Sequence, residues 1–170
     1  MFTFSAAYLP GQVAYTVGWD YLSGNDAFSS SKTSHRFDPL YGTPHKFWGL
    51  MDYFYAGSGS PTGGLSNPYL KIKYTSANKR FSAELTNHYF MLANNQKDVA
   101  GNPVSKYLGT EFDLTTGYKL NKFIQATLGL SYMSATQSME YAKNINPGAA
   151  HLNPVWAYLQ LNITPEFLNK

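Results

Sequence analysis

The chain contains no cysteine, so it has neither a disulfide framework nor a thiolate metal centre. Charge is scarce as well: Asp, Glu, Lys and Arg make up 14% of the 170 residues, against about 25% in ordinary soluble domains. The net charge is only +3, and beyond Lys79-Arg80 there is no basic patch, which argues against a nucleic-acid partner. No apolar run approaches the roughly 18 residues of a membrane helix, and no long window carries a convincing helical period. His35, His45, His88 and His151 are scattered without metal-ligand spacing. The chain has no Gly-x-Ser-x-Gly elbow. His88 shares a strand face with Glu84 but has no matching nucleophile. Neither catalysis nor a cofactor is expected.

What the chain has in quantity is aromatic residues, 16% of the total with 14 tyrosines, and strict alternation. In Phe123 to Ser134, Ile124, Ala126, Leu128, Leu130 and Tyr132 fall opposite Gln125, Thr127, Gly129 and Ser131. A period of two marks a β-strand, because successive side chains point to opposite sides of a sheet. Val13 to Leu22, Arg80 to Met91 and Thr110 to Leu120 repeat the pattern, as does the stretch around Leu159, Leu161 and Ile163. Phe2 to Leu9 and Tyr69 to Tyr74 are weaker instances. These runs are longer than the usual strand of about 5 or 6 residues and suit the 9 to 11 needed to cross a bilayer at a tilt. A mean hydropathy of −0.32 is compatible with that, since half of each barrel strand faces water. Tyrosine and tryptophan favour membrane interfaces, where the ring is apolar and the polar tip is wet.

Short links at 9–12, 75–78 and 121–122 join the strands into hairpins. The long connections 23–68, 92–106 and 135–154 are rich in Gly, Ser, Asn and Pro. Short turns on one side and long loops on the other are the outer-membrane arrangement. The expected fold is therefore all-β, an antiparallel transmembrane β-barrel of outer-membrane type with about seven or eight strands in one region, 1–170. Seven strands put the first one on the extracellular side, and Met1-Phe2-Thr3-Phe4 lacks the features of a signal peptide. That predicts the C-terminal portion of a larger barrel. A competing count makes Phe47 to Ala56 an eighth strand and closes a small barrel.

Tyr41, Thr43, His45, Lys46, Phe47, Gly49 and Asp52, within FDPLYGTPHKFWGLMDYFY, resemble a signature of the alginate-export family of outer-membrane channels. LKIKY (70–74), LGTEFDLTTGYKL (108–120) and WAYLQLNITPEFL (156–168) resemble that family's closing strands, particularly in Bacteroidetes-like members. The resemblance implies a large monomeric barrel in a Gram-negative outer membrane that acts as a passive conduit for a polysaccharide or other solute.

Read from the residues alone, the long 23–68 connection folds toward the lumen. Its constriction candidates are Tyr41, Thr43, His45, Lys46 and Asp52. Lys46, His45 and Arg36 meet an anionic solute, or Tyr41, His45, Phe47, Trp48 and Asp52 pack and hydrogen-bond the loop against the inner wall. By alternation Lys71, Lys73, Arg80, Glu84, His88, Glu111 and Asp113, and Asp20 less firmly, face the lumen, since charge facing lipid costs about 2 to 4 kcal/mol at the midplane. They form either weak stations for an anionic polymer or a cross-strand salt-bridge network. Outer-membrane lipid, a polar or anionic solute, and further barrel strands or subunits are the partners these residues imply. A small barrel acting as an anchor or interaction subunit is the alternative.

Overall fold

The computed structural model describes residues 1–38, 47–55, 60–145, 148–149 and 153–166. Seven strands form one antiparallel sheet: β1 (Phe2–Tyr8), β2 (Val13–Leu22), β3 (Leu65–Thr75), β4 (Phe81–Leu92), β5 (Tyr107–Lys119), β6 (Ile124–Ala135) and β7 (Val155–Ile163). Their spatial order is their chain order, so every pair is a simple meander. A short helix, α1 (Gln137–Ala142), precedes β7. The sheet is open, with β1 and β7 as its edges. β2, β4, β5 and β6 lie where period-two alternation puts them, because that register keeps the apolar side chains of the strand middles on one face.

The turns explain the hairpins. Gly11 adopts φ +66° in the first, a conformation that favours glycine. In the β5–β6 turn, Asn121 Oδ1 accepts from the amides of Phe123 at 2.8 Å and Ile124 at 3.0 Å, the side-chain mimicry of a turn that makes asparagine frequent there.

Two expectations need revision. β3 begins at Leu65, inside the 23–68 segment assigned to loop. Pro68 reads as punctuation in sequence, yet here it lies opposite Trp19 in the β2–β3 ladder. It has no N–H to donate, and the β3–β4 register accordingly skips Asn67 and Pro68. The eighth strand does not form among the described residues of 47–55. Trp48, Gly49 and Asp52 have φ of +63°, +92° and +57°, which no extended strand accommodates.

The two faces of the sheet are inverted relative to a water-soluble domain. Phe4, Val17, Leu85, Leu114, Leu130 and Leu161 are exposed on one face. The other face buries Asp20, Asn67, Thr86, His88, Glu111, Asp113 and Ser131. At the end bearing the long connections that polar face becomes apolar. There Leu22, Leu65, Phe90, Leu92, Leu108 and Met133 pack with Trp48, Phe54 and Met139 into a hydrophobic core. Gly109, at φ +150°, lies where the β4–β5 register shifts beside Phe90/Met91. The bulge turns Leu108 into this core.

Candidate functional site

The centre of the polar face is a cleft of about 440 Å³. Segment 47–50 roofs one side, and Lys71, Lys73, Glu84, His88, Asp113 and Tyr158 contribute to its walls. Antiparallel register makes the assembly: Lys71 is opposite Thr86 and Lys73 opposite Glu84, while Thr86 faces Asp113 and His88 faces Glu111.

The charged groups divide into two layers. Nearer the short turns, Lys71 Nζ lies 3.0 Å and Lys73 Nζ 3.4 Å from the two carboxylate oxygens of Glu84. One carboxylate thus serves both lysines, a pairing that takes in three of the residues of the cross-strand network and leaves out Arg80. Nearer the long connections the layer is acidic and buried. Asn67 stands in the gap left by Pro68, where its Nδ2 donates to Asp20 Oδ2 at 3.2 Å and its Oδ1 lies 3.1 Å from His88 Nδ1. His88 Nε2 is 3.8 Å from Asp113 Oδ2, and the imidazole stacks on Phe90 with ring planes 4° apart. Ser131 Oγ donates to Asp113 Oδ1. Asp20, Asn67, His88, Asp113 and Ser131 are each held by a neighbour, which suits positioning better than chemistry.

Glu111 and Asp113 also fasten the loop. The Met51 amide donates to Glu111 Oε1 at 2.9 Å and the Leu50 amide to Asp113 Oδ2 at 3.2 Å, both charge-assisted contacts when the acceptors are ionised. Gly49 permits this approach, because a Cβ there would meet Glu111 Oε1 at 2.5 Å. The two carboxyls are therefore roofed by the loop instead of facing open space. Beyond them Tyr53 and Lys143 border the core. Burial, with the Glu111 carboxyl adding to it, pushes the Tyr53 phenol up. Burial pulls the Lys143 ammonium down to about 8, where it sits 4.6 Å from the centre of the Phe54 ring.

Of the residues expected on the polar face, Lys71, Lys73, Glu84, His88, Glu111 and Asp113 are together. Arg80 is not. β4 starts at Phe81, so parity no longer governs residue 80. Its Nε and Nη2 donate to the carbonyls of Lys119 at 3.2 Å and Leu120 at 3.1 Å. Asp52 lies in the folded segment 47–55, while Tyr41, Thr43, His45 and Lys46 lie outside the described residues. Phe47 and Trp48, expected to pack the loop against the wall, line the cleft, as do Leu50 and Tyr158, which were not singled out in the sequence. Tyr158 was legible, since it shares parity with Gln160 and Asn162. Leu50 was not, because its placement depends on the positive φ angles of its neighbours Trp48, Gly49 and Asp52 in an irregular loop.

Comparison of the chain with family profiles, with characterised proteins and with solved structures finds no match. Among the described residues no group of three or more His, Cys, Asp or Glu is arranged to hold a metal ion.

Proposed function

We propose that this sheet is part of the wall of an outer-membrane β-barrel and that its polar face lines a passage for polar solutes. The observation that carries the reading is the layering of the apolar face. In β2, β4 and β5 aliphatic residues lie between aromatic ones on this face, with Asn87 and Thr116 the polar exceptions, and β6 ends in Tyr132. Tyr15 and Trp19 flank Val17, Phe81 and Tyr89 flank Leu85, and Phe112 and Tyr118 flank Leu114. The aromatics contact one another, with Phe2 and Trp19 edge to face at 5.1 Å and Tyr89 and Tyr107 stacked at 4.6 Å. Trp19 Nε1 donates to Ser66 at 2.9 Å, so the indole keeps its polar edge satisfied. From Phe81 to Tyr89 the strand rises about 26 Å at about 3.3 Å per residue. At a tilt of about 40° that is about 20 Å of membrane thickness, close to the roughly 25 Å apolar band of such barrels. In water the same face would be an aggregation surface far beyond the few hundred Å² that monomers tolerate.

The open edges fit a wall that other strands complete. Seven antiparallel strands leave β1 and β7 running in the same direction. An all-antiparallel ring therefore takes an odd number of further strands. The anionic-polymer version of the function, alginate included, draws on Lys71 and Lys73, and both are already committed to Glu84. Weak discrimination between ions follows from that pairing. The test is conductance of the purified protein in a planar bilayer under a salt gradient. Discrete conductance with a reversal potential near zero is expected. Complete absence of conductance would overturn transport and leave the anchor or interaction subunit, which the roofing of the polar face by residues 47–52 favours.

A further inference from the structure

The end of the sheet that carries the short turns is basic. Lys79, Arg80, Lys119 and Lys122 lie there, and Glu166 is the one carboxylate beside them among the described residues. Glu166 is 3.7 Å from Lys122 Nζ, so among the described residues the remaining cations have no counter-ion at this end. Arg80 is also fixed in place. Its two bonds to the carbonyls of Lys119 and Leu120 hold the guanidinium across the end of β5, with its central carbon 5.4 Å from the centre of the Tyr118 ring. Tyr118 belongs to the exposed apolar face, as do Phe81 and Tyr74. A guanidinium has five N–H donors, so these two bonds, both exposed, leave three donors over for a ligand. A planar cation is thus anchored where the apolar face stops.

We propose that this rim binds the phosphate of anionic phospholipid headgroups, with Arg80 as the geometrically fixed contact and Lys79, Lys119 and Lys122 as mobile ones. The inference rests on the barrel reading, in which the aromatic ends of the strands lie at headgroup level. Guanidinium matches phosphate because its planar fork can donate two parallel bonds, while an ammonium acts as a point charge. The flanking rings fit the same lipid, packing against its upper acyl chain.

The protein is inserted into nanodiscs of equal phosphatidylcholine and phosphatidylglycerol, and the lipid retained after extraction is analysed by mass spectrometry. Wild type should retain phosphatidylglycerol over phosphatidylcholine by about fivefold or more, the gain of one cation near an anionic surface. Arg80→Gln should lower that ratio at least about twofold, and replacing all four cations by Gln should bring it to about 1. Equal retention of both lipids by wild type, or an unchanged ratio in the fourfold variant, would overturn the proposal and leave the barrel standing. So would abolition of the preference by excess inorganic phosphate, which would mark a free-anion site. Failure to insert into phosphatidylcholine alone would overturn the barrel itself.

Discussion

The two ends of this sheet are built on opposite principles. At the long-connection end the polar face turns apolar and closes over Phe54, Phe90, Leu108 and Met139, with α1 and segment 47–55 packed above it. At the short-turn end the described residues form no core. Tight turns, cations and partly exposed rings finish the strands. Sequence position makes the difference: loops long enough to fold back can bring their own apolar side chains, and links such as 9–12 cannot. Order at one end comes from burial, and at the other from backbone geometry.

The largest expected effect tests that contrast directly. Phe90→Ala removes a fully buried ring stacked on His88 and should cost about 3 to 5 kcal/mol. Phe81→Ala, at the short-turn end and 38% exposed, should cost less, about 1 to 2 kcal/mol, since its burial is partial and truncation leaves no closed cavity. Urea unfolding of the reconstituted protein measures both. Equal losses would mean that the two ends are stabilised alike. Next in size is a test of the faces. Leu114→Arg puts a charge in the middle of the apolar face and should cost about 2 to 4 kcal/mol in a bilayer, whereas Thr115→Arg, one residue on and in the cleft, should cost less than about 1 kcal/mol. Comparable penalties for the pair would break the assignment of the apolar face to lipid.

Much of this architecture was legible in the sequence for a physical reason. A period of two sustained over ten or more residues has one interpretation, and a one-residue slip would bury the wrong face everywhere. Hence β2, β4, β5 and β6 are found where alternation puts them. What escaped were the places where alternation stops governing. Leu22, Phe90, Leu92 and Met133 carry the parity of the polar face, so a rule assigning that face to a lumen hides a core, although their apolar character at strand ends was visible. Parity assigned Arg80 inward, but it sits beyond its strand. Pro68 looked like a loop residue because it has no N–H for a ladder, and the bonds of its neighbour Asn67 to Asp20 and His88 exist only once the strands are paired.

A smaller effect separates the ends through their glycines. Gly49→Ala places a methyl against the Glu111 carboxylate at a φ of +92°, so it should detach Leu50 and Met51 from the wall at a cost of about 1 to 3 kcal/mol. Gly11→Ala has open space around its Cβ and meets only the strain of its φ of +66°, about 1 kcal/mol. Hydrogen exchange reads the distinction. The amides of Leu50 and Met51 should lose protection in the first variant and keep it in the second. Retained protection in Gly49→Ala would show that the loop is not held through Glu111.

The smallest expected effect concerns Lys143, at the end of α1. Its ammonium is partly buried against Phe54, and burial pulls it from 10.5 down to about 8. Between those values the unfolded chain binds more protons than the folded one, so stability contributed through this group rises with pH across that window. Below pH 8 the charged form is held in both states, and the folded state bears the full desolvation cost, reduced by the attraction of the ammonium to the Phe54 ring face. Lys143→Met removes the charge and keeps an unbranched apolar chain. The variant should be more stable than wild type below pH 8, by about 1 kcal/mol once solvent screening is allowed for, and the gap should close as the pH approaches 10.5. Unfolding of the two proteins side by side across this range cancels the tyrosines, which titrate in both. A gap that stayed constant with pH would mean that Lys143 reaches water freely and that the core ends short of α1.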